Sequence, residues 1–145
     1  MRRLSTARPR LSRACIEAAG QAIPLEYRLG IPVTDAMVGG NATSLFVDTG
    51  AKYGYLREDL LRQFPVVNRV RDFHPSLGEF DTSLHRVELA IGDLRFESEF
   101  GRLPPELAKA LQFTGVQGIL GNDLFRARTI VLSARRRMMT LGESA

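Results

Sequence analysis

The sequence from residue 45 to residue 51 reads LFVDTGA. Three apolar residues precede Asp48, which predicts a buried strand that delivers this carboxylate into a tight loop. An aspartate before Thr-Gly often does no more than cap its own turn. The other interpretation is a reactive carboxylate, because a strand aims Asp48 and Gly50 lets a second backbone or a substrate come close.

A carboxylate in such a loop gains catalytic chemistry when a second carboxylate lies beside it. Two like charges that near do not both ionise, so one carboxyl group stays protonated as the acid while the other acts as the base. The ionised member activates a water molecule, and the protonated member polarises a scissile carbonyl group. Asp48 is suited to such a pair, and the Thr49 hydroxyl is suited to hold the loop by hydrogen bonding.

A second motif lies downstream, where residues 118–125 read GILGNDLF. It places two apolar residues between glycines and continues into a predicted helical turn over residues 123–125. Two predicted hairpins flank these motifs. One covers residues 32–47 and turns at Gly-Gly-Asn, residues 39–41, where Gly and Asn tolerate a positive φ. The other pairs residues 129–132 with 138–141 around a basic turn.

With these motifs in this order, residues 22–141 resemble the retropepsin-like aspartic proteases of the gag-polyprotein or bacterial single-domain type. LFVDTGA is similar to the active-site segment of that family, and GILGNDLF to its apolar-apolar-Gly motif and following helix. The resemblance implies an all-β fold, closed like a barrel, with one or two short helices. It implies a catalytic residue, Asp48, and two further groups of positions: the active-site loop at Thr49, Gly50 and Ala51, and the supporting motif at Ile119, Leu120 and Gly121 beneath it.

The chain contains a single Asp-Thr-Gly, whereas pepsin-like enzymes carry two such loops in one chain. The resemblance therefore implies a homodimer in which two copies of Asp48 meet across a two-fold axis. The Thr49 side chains would then bond across the interface. The family also implies a flap hairpin that covers a peptide or protein substrate. We place it around residues 70–85, with Leu77, Gly78 and Glu79 at its tip.

Period-two alternation predicts further strands over residues 23–29, 31–38, 87–91 and 94–100, the last two joined by a Gly-Asp turn. Short helices are predicted over residues 57–64 and 104–111, and the second begins with two prolines. Residues 66–83 show no clear period, but Val66-Val67, Val70 and Phe73 are consistent with an extended segment and residues 74–78 with its turn. The patterns predict one all-β domain over residues 22–145 with minor helices.

The composition excludes several classes of function. The chain has 145 residues, of which 44% are apolar and 25% charged, as in an ordinary soluble globular protein. Its net charge of +4 arises from five arginines before residue 14, so no folded basic surface for nucleic acid is expected. No apolar stretch reaches the roughly 20 residues of a membrane span. With one cysteine and two histidines lacking ligand spacing, neither a metal nor a cofactor is expected.

Residues 1–21 are rich in Arg, Ser and Ala, and we interpret them as a basic mobile tail. The segment has no apolar h-region, so it is not a secretory signal as it stands. The sequence as given favours the cytoplasm, but the composition of the tail vaguely resembles a transit peptide and leaves the compartment open.

Two functions remain. The first is an aspartic endopeptidase, with a water molecule activated by an Asp48–Asp48 dyad across a homodimer. The alternative is a catalytically weak or inactive retropepsin-fold module for binding or dimerisation, because a fold alone does not guarantee activity. Lys52 departs from the small hydroxyl or acidic residue that the family often has there. A nearby ammonium favours an ionised dyad, which predicts a lower pH optimum.

Overall fold

The computed structural model describes residues 21–126 and 128–142. In these ranges the chain forms eleven strands, three short α-helices and one 3-10 helix. The strands are β1 (Gln21–Pro24), β2 (Glu26–Arg28), β3 (Ile31–Val38), β4 (Asn41–Val47), β5 (Gly54–Leu56), β6 (Val66–His74), β7 (Gly78–Ile91), β8 (Leu94–Arg102), β9 (Gly118–Leu120), β10 (Ile130–Ser133) and β11 (Met138–Leu141). The helices are α1 (Glu58–Leu61), α2 (Pro105–Leu111), the 3-10 helix (Gln112–Thr114) and α3 (Asn122–Phe125).

Eight strands form one sheet in the order β2-β3-β4-β9-β5-β8-β7-β6. This sheet closes on itself, because β3 also pairs with β7 through Met37–Ala90 and Val38–Leu89. Strands β3, β4, β9, β5, β8 and β7 therefore form a ring, with β2 and β6 paired outside it. The all-β, barrel-like fold predicted from the sequence is confirmed.

The connection around β9 positions the loop that contains Asp48. Strand β9 pairs in parallel with β4 and antiparallel with β5, so it lies between these two strands. The chain leaves β4 at Val47, forms the loop, and enters β5 on the far side of β9. Any residue between β4 and β5 therefore lies at one end of β9.

A smaller sheet, in the order β1-β11-β10, shares the core of the ring. Met139 and Leu141 of β11 are buried in the same apolar cluster as side chains of the large sheet. Burial of one such aliphatic or aromatic side chain contributes about 1.5–3 kcal/mol relative to its exposure. The large sheet supplies, among others, Val38, Leu45, Leu56, Val87, Ile91, Phe100 and Leu120.

The single strand predicted over residues 23–29 is wrong. Strand β1 ends at Pro24 and pairs with β11, whereas β2 begins at Glu26 and pairs with β3. Between them the Leu25 amide donates to the Arg137 carbonyl oxygen at 2.8 Å. The alternation is real in both strands, but the chain passes from one sheet to the other at Leu25, and period-two alternation alone does not report such a change.

Other local predictions were mostly correct. The hairpin over residues 87–100 is confirmed, with Gly92 at φ +58° in its turn, and helix α2 begins at Pro105 as expected. The helix predicted over residues 57–64 is reduced to α1, which buries only Leu60 and Leu61. Among the described residues, every helix is too short or too polar to cross a lipid bilayer.

The predicted tail, residues 1–21, lies outside the described residues except for Gln21, where β1 begins. The described helices and strands run from Gln21 to Leu141, and the domain bounds stay a prediction. Its final three residues, 143–145, are not described.

Candidate active site

The backbone of Asp48 is anchored although its side chain is exposed. Its amide donates to the Leu120 carbonyl oxygen at 3.0 Å, which continues the parallel β4–β9 ladder one residue beyond β4. The preceding residue, Val47, is buried. A fixed main chain with an accessible carboxylate is the arrangement expected of a reactive group.

The loop after Asp48 is a tight turn closed by this carboxylate. Oδ1 of Asp48 accepts a hydrogen bond from the Gly50 amide at 3.0 Å. The Ala51 amide donates to the Asp48 carbonyl oxygen at 3.3 Å. A Cβ atom at Gly50 would lie 3.3 Å from Oδ1, so glycine leaves the carboxylate room in this turn. Thr49 is exposed in the single chain, and its bond across a dimer stays a prediction.

The Ile119-Leu120-Gly121 motif and the Asp48 loop are brought together as two bonded segments. Besides the bond from Asp48 to Leu120, the Asn122 amide donates to the Ala51 carbonyl oxygen at 2.6 Å. The Asp123 amide donates to the Lys52 carbonyl oxygen at 3.1 Å. Three main-chain hydrogen bonds therefore hold residues 48–52 against residues 120–123.

Gly121 is required by the closeness of these two segments. A Cβ atom there would overlap the carbonyl oxygen of Tyr53. Gly118 is similarly confined, because its Cβ atom would overlap the carbonyl oxygen of Tyr55. The two glycines of the downstream motif thus let β9 approach the chain that follows Asp48.

Asp48 differs from the other aspartates in its hydrogen-bond partners. The chain contains seven aspartates, all within the described ranges. Six of them have a side-chain partner: Asp35 with Ser44, Asp59 with Arg57, Asp72 with Tyr55, Asp81 with Arg71, Asp93 with Gln21, and Asp123 with Ser98. Within the described residues, the Asp48 carboxylate accepts only the backbone bond from Gly50. Six aspartates thus have a structural role that their side-chain partners account for, and Asp48 has no such partner within the described residues.

Tyr55 lies on the face of the sheet that carries Asp48. Phe46 is opposite Ile119 in the β4–β9 ladder, and Ile119 is opposite Tyr55 in the β9–β5 ladder. Directly opposed residues project to the same face. Asp48 follows Phe46 by two positions, the spacing at which side chains return to one face.

A long hairpin formed by β6 and β7 includes residues 70–85, for which the flap was predicted. Its strands pair from Val66–His85 to His74–Gly78, and the Leu77 amide closes the turn by donating to His74 at 3.0 Å. Gly78 has a φ of +74°. Glu79 is exposed near the turn. Sequence alternation did not reveal β6, because residues 66–69 are exposed on both faces and, further along, the apolar Phe73 is exposed while the charged Asp72 is half-buried.

Tyr55 was not predicted as a site residue. It is buried, and its hydroxyl donates to Oδ2 of Asp72 on β6. Burial raises the pKa of the Tyr55 hydroxyl, and the hydrogen bond to the Asp72 carboxylate and its negative charge raise it further. No local pattern marks Tyr55, since its partners lie on strands that the sequence did not resolve.

Lys52, the departure from the family pattern, points its ammonium toward a neighbouring ring. Its Nζ atom lies 5.2 Å from the centroid of the Tyr53 ring, within the range of a cation–π interaction. The side chain is exposed at the end of the Asp48 loop. Its backbone carbonyl, by contrast, is engaged by the Asp123 amide.

A cleft of about 640 Å³ opens elsewhere, between α1, the β6–β7 hairpin and the start of α2. It is lined by Leu61, Arg69, Phe80, Arg102 and Pro105, among others, and Asp48 is not one of its lining residues. The Asp48 loop instead forms an open surface in the single chain.

The fold is shared with a protease of known structure. The crystal structure of a retropepsin-like aspartic protease from Rickettsia conorii superposes with a TM-score of 0.58 over 83% of this chain and 88% of that chain. The chain has the retropepsin-like fold. The sequence identity is 17%, so the likeness concerns the fold and not its chemistry. No protein-family model and no curated protein matches the sequence.

The retropepsin-like fold accounts for the arrangement around the loop. The ring of strands places the Asp-Thr-Gly turn at the end of β9, and the hairpin projects from the β7–β8 side of the same sheet. The chemistry that this fold supports depends on Asp48 and on the surface around it.

Proposed function

We propose that this chain is an aspartic endopeptidase, active as a homodimer. The observation that carries the proposal is Asp48, the one aspartate whose carboxylate has no side-chain partner within the described residues, exposed on a loop with a fixed main chain. A retropepsin-like fold with a single Asp-Thr-Gly supplies half of a carboxylate pair. A second copy, related by a two-fold axis, supplies the other half.

The reaction follows from the geometry of two such carboxylates. In each copy Oδ1 of Asp48 accepts a hydrogen bond from the Gly50 amide, so Oδ2 is the oxygen that exchanges protons with water and substrate. The ionised Asp48 takes a proton from a water molecule as the water oxygen bonds to the peptide carbon. The protonated Asp48 of the second copy donates its proton to the carbonyl oxygen. The resulting tetrahedral intermediate breaks its C–N bond as the leaving nitrogen takes the proton held by the first Asp48, and one hydroxyl of the intermediate returns its proton to the second Asp48.

The expected substrate is an extended peptide. Strand β6 is the edge of the large sheet and pairs only with β7 within the described residues, so main-chain groups along its outer side remain available. A peptide in extended conformation adds to such an edge by backbone hydrogen bonds. In this proposal the β6–β7 hairpin, with its tip at Leu77, Gly78 and Glu79, is the flap over the bound peptide.

The first test is cleavage of peptides by the purified protein and its inhibition by a statine-type compound. Asp48→Asn keeps the size and the Gly50 bond but removes the acid–base group, and we expect a rate loss of at least about 10³-fold. Asp59→Asn is the matched control, because Asp59 is exposed and paired with Arg57 on α1. Cleavage that survives Asp48→Asn contradicts the mechanism.

The second test asks whether the site is shared between copies. Unfolded wild-type and Asp48→Asn chains are mixed in equal amounts and refolded together. If each site needs Asp48 from both copies, about a quarter of the dimers are active, which follows from random pairing of two chains. Half of the activity would mean that one chain suffices. Stable dimers without cleavage would support the alternative, an inactive module of this fold.

A further inference from the structure

Tyr55 contacts both strands of the β6–β7 hairpin at one level. Its hydroxyl donates to Asp72 on β6, and its ring lies 6.0 Å from the ring of Phe80 on β7, at an interplanar angle of 55°. Asp72 and Phe80 are directly opposed in the β6–β7 ladder. One side chain of β5 thus joins a cross-strand pair of the hairpin to the body of the fold.

The position of the Tyr55 ring is fixed from the other side by Gly101. A Cβ atom at Gly101 would lie 2.8 Å from Cε1 of Tyr55, so a larger residue would displace the ring. Tyr55 is only 7% exposed. The ring therefore occupies a slot between β8 and the hairpin, and its hydroxyl is held at Asp72.

Few hydrogen bonds tie the outer part of the hairpin to the body. Pairing of β7 with β8 ends at His85–Phe100, so residues 78–84 extend beyond it. Within the described residues, one hydrogen bond to the body remains there besides that of Tyr55: the Arg102 amide donates to Oγ1 of Thr82 at 3.1 Å. Thr82 and Leu84 are buried at the base of this segment, whereas residues 78–81 are half-buried or exposed. Outside Thr82, the position of the hairpin thus depends on Tyr55.

We propose that Tyr55 is a positioning residue for proteolysis, which holds the β6–β7 hairpin against the face that carries Asp48 through its hydrogen bond to Asp72. This inference rests on the proposed function. The register of Phe46, Ile119 and Tyr55 places the Tyr55 side chain on the Asp48 face. Asp72 and Phe80 thus turn the inner side of the hairpin toward that face.

The hydrogen bond between Tyr55 and Asp72, called the clamp from here on, has the properties that this positioning role needs. A hydrogen bond to an ionised carboxylate is about twice as strong as one between neutral groups. Because the bond belongs to no strand ladder, breaking it leaves the hydrogen bonds between strands in place. The hairpin is thus held by a contact that substrate entry can break and restore.

Backbone hydrogen exchange on the full-length protein tests the clamp without requiring proteolysis. Tyr55→Phe and Asp72→Ala should each speed exchange of the amides over residues 68–84 by about tenfold or more, the change expected for loss of a charge-assisted hydrogen bond. Amides of residues 87–100 should keep their wild-type rates. If the hairpin exchanges at the wild-type rate in both variants, the clamp does not exist.

Two matched variants control for the chemical changes. Tyr27→Phe removes a hydroxyl from a tyrosine on β2 that packs on the core. Asp81→Ala removes a carboxylate from the hairpin itself, where Asp81 pairs with Arg71 of the neighbouring strand and not with the body. Neither should change hairpin exchange by more than about twofold. An equal acceleration in Asp81→Ala would show that the effect is general loosening of the hairpin.

Kinetics then connect the clamp to catalysis. Tyr55→Phe and Asp72→Ala should each lower kcat/KM for a peptide by about tenfold, and the double variant should be no worse than either one, because both remove the same bond. Additive losses would overturn the pairing. If the wild type cleaves nothing while hydrogen exchange responds as described, the proposed function fails and the clamp stands. If cleavage depends on Asp48 but not on Tyr55, the proposed function stands and the role of Tyr55 in proteolysis fails.

Discussion

The backbone amide of Asp48 donates to the carbonyl oxygen of Leu120 at 3.0 Å. This bond joins the two sequence motifs that are far apart along the chain, and it extends the parallel β4–β9 ladder into the loop. This bond fixes the position of the Asp48 main chain. In a dimer it therefore limits the range of distances between the two Asp48 carboxylates.

Gly121→Ala tests the close approach behind the loop. The added Cβ atom would overlap the Tyr53 carbonyl oxygen, so backbone must move, and we expect the free energy of unfolding to fall by about 1–3 kcal/mol or more. Proteolysis should fall as well, because the loop bonds shift. Urea denaturation measures the first effect. Gly30→Ala serves as the control: its Cβ atom meets open space, and only the positive φ of +75° costs about 1 kcal/mol.

Activity should depend on protein concentration if the site is made by two copies. On dilution below the dissociation constant of the dimer, the specific activity should fall while that of a monomeric enzyme would stay constant. Asp48→Asn should dimerise at similar concentrations, since the substitution preserves the loop bond to Gly50. Analytical ultracentrifugation and progress curves over the same dilution series provide the measurement. Constant specific activity with a monomeric protein would exclude a shared site.

Lys52 should influence the pH dependence of cleavage. Its ammonium, at the end of the Asp48 loop, favours ionised carboxylates in the site. Lys52→Ala should therefore move the acidic side of the pH–rate profile to higher pH, whereas Lys52→Arg should keep it. The other lysine of the chain, Lys109 on α2, provides the control variant Lys109→Ala. An unchanged profile in Lys52→Ala would contradict an effect of the ammonium on the carboxylate pair.

Stability at alkaline pH should report on Tyr55. Burial and the Asp72 carboxylate raise the pKa of its hydroxyl in the folded chain. Above pH of about 10, the unfolded chain loses this proton while the folded chain retains it, so the free energy of unfolding falls as pH rises, by up to about 1.4 kcal/mol per pH unit. Denaturation between pH 9 and pH 11 should show a shallower decline for Tyr55→Phe than for the wild type. A decline as steep in Tyr55→Phe as in the wild type would contradict this assignment.

Local patterns predicted most of the scaffold. Alternation located β3, β4, β7 beyond residue 87, and β8, and the Gly-Gly-Asn and Gly-Asp turns were placed correctly between them. Alternation reflects burial of one face, so it succeeds where strands have a buried and an exposed side. It failed at β6, where residues 66–69 are exposed on both faces and the apolar Phe73 is exposed, and at residues 23–29, where two strands in different sheets follow each other.

The sequence by itself determined that Asp48 stands alone in an Asp-Thr-Gly turn and that Gly121 follows two apolar residues, because these are properties of neighbouring residues. The tertiary structure decided which segments meet: Leu120 with Asp48, Gly121 with Tyr53, and Tyr55 with the hairpin. These contacts depend on the closure of the ring, which brings residues distant in sequence within hydrogen-bonding reach. Pairwise contacts of that kind leave no periodic trace in a single sequence.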